Sequence, residues 1–178
     1  MSLRYLMLLG TAIIGAAAGA TVALARDGDR SGSLASKLVG VKEVPAVIST
    51  GSGIVRLRVR SDRVEYRLTY QNLEGTPLQA HLHVAQPDVN GGIVAWLCGT
   101  ATNPGPTGTP TCPTPSGTVS GTITAASLFT PIAAQSVETF ADFLTALRYG
   151  VTYANVHTTE VPTGEIRGNL NDRRHHHD

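Results

Sequence analysis

Two imidazoles stand two residues apart in Ala80-His81-Leu82-His83, and a third, His157, lies in a distant apolar run, Tyr153-Ala-Asn-Val-His-Thr158. In an extended strand, residues i and i+2 project from one face, so His81 and His83 point the same way. If the two runs become neighbouring strands, three imidazoles meet at one spot. Neutral imidazole is the commonest side-chain metal ligand, and three nitrogen donors suit copper or zinc. Asn155 shares the strand face of His157, and Glu165 opens the next segment, Glu165-Ile-Arg-Gly168. Either one could orient an imidazole or complete a coordination sphere. A plainer chemistry fits the same residues: buried imidazoles hydrogen-bonded to Glu165, Asn155 or backbone carbonyls, locking strands together. The residues alone leave both open.

Catalysis finds less support. The chain has no Gly-x-Ser-x-Gly nucleophile elbow. A glycosidase needs two opposed carboxylates, and Glu43 and Glu165 qualify only by elimination. Arg167, two residues beyond Glu165 and so expected on its strand face, is placed to steady that carboxylate. The expectation is a domain that is not an enzyme. Charge is equally unassertive, with 14 Lys and Arg against 13 Asp and Glu. Such a balance gives no patch for a phosphate backbone, so no nucleic-acid partner is expected.

The elements that must position the histidines read mostly as strands. Val55, Leu57 and Val59 alternate with Arg56, Arg58 and Arg60. After a turn at Ser61-Asp62, Val64, Tyr66, Leu68 and Tyr70 alternate with Glu65, Arg67 and Thr69. Two such runs joined by a short polar turn predict an antiparallel hairpin with one buried and one wet face. Glu65 lies among the arginines, so cross-strand charge pairing is expected there rather than a polyanion site. Leu78 to Val84 follows as the histidine strand. Gln86 to Gly92 reads as a loop with an Asn90-Gly91 turn signal, and Ile93 to Cys98 as a strand buried on both faces. Gly117 to Thr124 alternates again. A helix is predicted where Phe140, Phe143, Leu144 and Leu147 recur at i, i+3, i+4, i+7, with Ser136 as N-cap and Gly150 as the stop. Val151–Thr158 and Glu165–Leu170 close the domain. The pattern predicts a mainly β, antiparallel β-sandwich or barrel-like domain of about seven or more strands with one short α-helix.

Residues 1–25 read as a signal peptide: Arg4 gives a positive start, Leu6 to Leu24 is almost wholly apolar, and Ala23-Leu24-Ala25 offers a cleavage site. An uncleaved anchor is the competing reading, since the run approaches the length that spans a bilayer. Export implies an extracytoplasmic, periplasmic or secreted domain with no membrane contact after cleavage. It also favours a disulfide between Cys98 and Cys112, the only two cysteines. A thiolate metal pair fits poorly, because the spacing is not a short Cys-x-x-Cys. The segment between them, rich in Gly, Pro and Thr, reads as a floppy surface loop. Residues 26–33 read as a flexible lead-in and 171–178 as a polar tail, whose His175-His176-His177 could catch metal by itself.

Together these residues resemble the CHRD domain, named after chordin and found also as a stand-alone exported protein in bacteria. The resemblance runs from about Leu34 to Leu170. It is carried by Leu38-Val-Gly-Val-Lys-Glu-Val-Pro45, the His81-x-His83 strand, Asn90-Gly91, Gly117-Thr-Val-Ser-Gly-Thr-Ile-Thr124, Phe140-Ala-Asp-Phe-Leu-x-Ala-Leu147, Asn155-Val-His-Thr158 and Gly164-Glu-Ile-Arg-Gly168. It implies an extracytoplasmic β-domain and leaves the ligand unassigned. A binding or structural module for an extracellular protein or polysaccharide is one expectation, with the Gln86–Gly92 loop and the loop closed by Cys98 and Cys112 as contact surfaces. Copper or zinc binding through His81, His83 and His157 is the alternative. The His-x-His strand is also similar to that of Cu/Zn superoxide dismutase, but too few further core histidines remain for a bridged two-metal site.

Overall fold

Strict alternation over Val55–Val59 and Val64–Tyr70 becomes a hairpin of β2 (Ser52–Val59) and β3 (Val64–Gln71) in the computed structural model, which describes residues 32–129 and 135–170. Leu57 pairs with Tyr66 and Val55 with Leu68 on the buried face. Arg58 pairs with Glu65 on the wet face, their side chains 3.8 Å apart, while Arg63 makes the closer contact to Glu65 at 3.1 Å. Exposed pairs of this kind contribute little. The hairpin is held by its apolar face, at roughly 1.5–3 kcal/mol for each fully buried Leu or Val.

Six further strands complete the sheet: β1 (Gly32–Val39), β4 (Pro77–Val84), β5 (Gly92–Cys98), β6 (Gly117–Ile123), β7 (Thr152–Thr158) and β8 (Ile166–Asn169). All neighbours are antiparallel, in the order β5-β4-β7-β8-β1-β2-β3-β6. The two ends of that order approach each other. Tyr66 of β3 donates to the Leu97 carbonyl of β5 at 2.7 Å across the gap, so the sheet is a nearly closed barrel. Leu38, Leu68, Leu82, Leu97, Val156 and Ile166 fill its interior. β1 begins at Gly32, so the last two residues expected in a flexible lead-in are strand, paired with Val59 and Arg58. The expected signal peptide, the rest of that lead-in and the His-rich tail lie outside the described residues. Among the described residues no helix is long and apolar enough to cross a membrane.

One α-helix, α1 (Phe140–Arg148), interrupts the strands, and it buries Phe143, Leu144 and Leu147 as their spacing predicts. Its N-cap is Thr139 rather than Ser136. The Thr139 hydroxyl accepts from the Asp142 N–H, and the Asp142 carboxylate accepts from the Thr139 N–H at 2.8 Å. This reciprocal pair outcompetes a lone serine. Gly150, at φ 67°, ends the helix as expected.

Cys98 and Cys112 form the disulfide. The loop they close is not floppy. Gly99 N–H donates to the Pro110 carbonyl and Cys112 N–H to the Gly99 carbonyl, while Thr109 N–H turns back to Pro106. The loop lies against Trp96, where a Cβ on Gly105 would come within 2.7 Å of the indole. Paired backbone at its base and an aromatic surface beneath it order a segment whose composition suggested neither. We predict that the Cys98→Ser, Cys112→Ser double variant loses about 3 kcal/mol, the chain-entropy value for a loop near this length, by urea unfolding. A loss under about 0.5 kcal/mol would assign the loop's order to its own turns instead.

Candidate metal centre

Period two sends Ala80, Leu82, Ala154, Val156 and Ile166 into the barrel. Their neighbours His81, His83, Tyr153, Asn155, His157 and Arg167 therefore lie on the outer face. Register aligns them: His81 stands opposite Trp96 of β5 and Asn155 of β7, and Asn155 stands opposite Arg167 of β8. One row, Trp96–His81–Asn155–Arg167, thus crosses four strands, with His83 paired to Tyr153 and His157 to Gln79. An outer barrel face is ordinarily wet. This one is dry, with His81 and Arg167 both 0% exposed and His157 only 8%.

Three segments cover it. The 86–92 loop supplies the Gly91 carbonyl to His83 and the Val89 carbonyl and Asn90 amide oxygen to Arg167. The turn before Glu165 supplies the Pro162 carbonyl to His157. Glu43 reaches in from the end of a 3-10 turn at Gly40–Lys42. Gly164 lets the covers meet: at φ 129° it sits where a Cβ would approach Glu43 Oε1 to 2.6 Å and Asn155 Nδ2 to 2.9 Å.

The proton positions on the histidines follow from their partners. His157 Nδ1 lies 2.9 Å from the Pro162 carbonyl and His83 Nδ1 lies 3.0 Å from the Gly91 carbonyl. A carbonyl only accepts, so each Nδ1 donates. His157 Nε2 is then a lone pair, and His81 Nδ1–H donates to it at 3.2 Å. Two lone pairs remain. His81 Nε2 is buried without a hydrogen-bond partner, and His83 Nε2 faces the Asn155 amide oxygen at 3.1 Å. Reversing that amide would give His83 an N–H donor and turn the oxygen toward Glu43, whose Oε1 is buried without a hydrogen-bond partner. One nitrogen from each histidine lies within 4.8 Å of the other two.

Burial keeps these rings neutral. It pushes His81 down to about 2, helped by the neighbouring imidazoles, and His83 down to about 4 against the pull of the Gly91 carbonyl. It also lowers His157, against the Pro162 carbonyl. Glu43 moves the other way, burial pushing it up to about 7 against the attraction of Arg167. Arg167 donates to Asn90 at 3.0 Å and to Val89 at 2.8 Å. Its guanidinium lies 3.5 Å from the centre of the Tyr153 ring, which stacks on His83 with centroids 4.6 Å apart.

Glu165 does not join the cluster. Its carboxylate accepts from the Ser49 hydroxyl at 2.6 Å, the Glu74 N–H at 2.8 Å and the Thr158 hydroxyl at 2.7 Å. It thus pins two distant loops to the barrel end; it contacts neither an imidazole nor Arg167. The strand pleat begins only at Ile166, after the positive-φ Gly164, so the i, i+2 argument that paired Glu165 with Arg167 does not extend to it. Trp96, Tyr153 and the Asn90 anchor were not recognised as site residues from sequence. Tyr153 was within reach, because it precedes Asn155 and His157 at the same period of two.

A family model described as the CHRD domain matches residues 34–170. No curated protein and no solved structure matches the chain.

Two outcomes follow from the electrostatics. Unfolded histidines take up protons near pH 6.5, whereas His83 and His81 in the fold wait until about 4 and 2. Between those values the unfolded chain binds more protons, so stability falls as pH falls. Glu43 opposes this between 4.5 and about 7, one group against three. The urea midpoint of chelator-treated protein is therefore expected to drop from pH 7 to pH 5, and a midpoint that holds or rises would mean the imidazoles are charged in the fold. Separately, Arg167→Ala should cost about 1–3 kcal/mol by leaving the Val89 and Asn90 acceptors unpaired, and should push Glu43 higher still by removing the attraction that lowers it. Adding Glu43→Gln should recover part of that loss, and strict additivity of the two losses would exclude the coupling.

Proposed function

The chain belongs to the CHRD domain family, whose model takes in every residue of the dry polar face, and from that premise we propose that it is an extracytoplasmic, non-catalytic module that holds one copper or zinc ion through His81, His83 and His157. The observation that carries this reading is the buried His81 Nε2, which has no hydrogen-bond partner, in a cluster where one nitrogen from each of three imidazoles lies within 4.8 Å of the others. A buried lone pair without a donor costs about 1–3 kcal/mol, and a cation between the rings relieves it. A proton would supply the same charge, but burial opposes protonation of every ring. A metal ion takes the neutral form that burial favours.

The surroundings support the same reading. His83 and His157 each give their other N–H to a backbone carbonyl, the arrangement that fixes tautomer and ring angle in metal-ligating histidines. Mutual separations within 4.8 Å leave a common point no more than about 2.8 Å from each donor, so small ring rotations reach a metal–nitrogen bond of about 2.0–2.1 Å. A closed cover suits retention of an ion better than turnover of a substrate. The disulfide supports the assignment outside the cytoplasm.

The test uses the full chain with His175→Ala, His176→Ala and His177→Ala, so that the tail does not bind metal itself. Titration is expected to show one saturable ion per chain. His83→Gln and His157→Ala should each weaken it at least 10-fold, with circular dichroism confirming that the barrel persists. Equal binding by folded variants, or none by the parent, rules out the site and leaves the histidines as hydrogen-bonded struts.

A further inference from the structure

Resting on that metal reading, we infer that the ion is copper(I), and that Trp96 forms the wall of its site. The donor set is the first ground. Among the described residues the groupable ligands are three histidines and nothing else. Glu165 is spent on Ser49, Glu74 and Thr158, Cys98 and Cys112 are oxidised to a disulfide, and the Asn155 oxygen is turned to His83. Every available donor is therefore a neutral nitrogen, one from each of three rings once the ion takes the place of the proton that His81 Nδ1 gives to His157 Nε2.

Charge decides among the ions that accept nitrogen. The cost of taking an ion out of water grows as the square of its charge. A divalent ion on three neutral ligands leaves two uncompensated charges in a dry site, on a face that already carries the Arg167 cation beside a Glu43 carboxyl pushed up to about 7. A monovalent ion leaves one, at about a quarter of the cost. Coordination number agrees. Zinc(II) takes four ligands, the fourth commonly a water in open sites, and copper(II) favours a tetragonal set. The cover that buries His81, His83 and His157 gives water little access to a fourth position. Copper(I), with a filled d shell, is satisfied by three ligands.

Trp96 is the second, independent ground. It stands directly across from His81 in the β4–β5 register, the two ring centroids 4.3 Å apart and nearly perpendicular. Its indole N–H is buried and bonds to nothing, so hydrogen bonding does not explain its place, while the Cys98–Cys112 loop is folded over it. An indole π-system beside a soft monovalent cation adds attraction without adding charge. Trp96 is also the only tryptophan in the chain, which makes it a reporter for the site.

The experiment titrates the tail-substituted full chain with copper(I) under reducing, oxygen-free conditions against a chromophoric copper(I) chelator, and with copper(II) and zinc(II) separately. Copper(I) should bind one per chain, at least 100-fold tighter than zinc(II), and quench Trp96 emission in step with occupancy. Trp96→Leu should weaken copper(I) about tenfold and leave zinc(II) unmoved, while Trp96→Phe, which keeps a ring and the fold, should retain most of the copper(I) affinity. Tighter zinc(II) or copper(II) overturns the copper(I) inference and leaves the metal reading standing. Binding of no ion removes both. Unchanged copper(I) affinity in Trp96→Leu removes Trp96 from the site.

Discussion

Covering the outer face of β4, β7 and β8 is the constraint on which the rest of the structure depends. A barrel with one apolar interior ordinarily leaves its outside to water, which satisfies whatever polar groups project there. Here three adjacent strands project His81, His83, Asn155, His157 and Arg167 outward, and loops exclude the water. Each buried polar group must then find a partner in the protein or cost about 1–3 kcal/mol. The loops consequently carry carbonyls at defined places: Gly91 for His83, Pro162 for His157, Val89 for Arg167. Two cores result, an apolar one inside the sheet and a polar one outside it, sharing the same strands.

The polar core is also an electrostatic arrangement. Arg167 is held by two hydrogen bonds and the Tyr153 ring rather than by a contacting carboxylate. Its charge reaches Glu43 and His83, helping to lower both. Tyr153 links the guanidinium to the His83 ring through one stack. Orientation of the imidazoles and placement of the only buried cation on this face are thus set by the same few side chains. The two loops expected to face a partner, Gln86–Gly92 and the one closed by Cys98 and Cys112, hold Arg167 and cover Trp96 with their inner sides.

What the sequence made legible was what periodicity encodes. The β2–β3 hairpin, the buried stripe of α1 and the shared face of His81 and His83 follow from spacing alone, and so does the outward projection of Asn155 and His157. What it hid depends on contacts between distant segments. Glu165 reads as able to orient an imidazole, but its partners are Ser49, Glu74 and Thr158. Glu43, noticed only as a carboxylate without a role, is carried onto the face by Gly40–Lys42 and by Gly164, where no local pattern announces it. Thr139 displaced Ser136 as cap because Asp142 returns its hydrogen bond, and that reciprocity distinguishes the two sites. Burial of the polar face was the least legible property, since alternation says which way a side chain points and nothing about what lies over it.

The cover and the histidines are coupled through shared atoms. Gly91 accepts from His83 Nδ1, and in the same loop Val89 and Asn90 accept from Arg167. Asn90 also donates to the Val44 carbonyl at 2.8 Å, tying the loop to the segment that presents Glu43. Opening the 86–92 loop would therefore release a ring nitrogen of His83, uncover the guanidinium and loosen the approach of Glu43 in one motion. Whatever occupies the imidazoles stabilises the closed loop, and whatever holds the loop closed stabilises the occupant, by the reciprocity of linked equilibria. A face built so that its ligands and its lid share hydrogen bonds favours slow exchange with solvent. On the proposed metal reading, that geometry suits keeping an ion rather than presenting one.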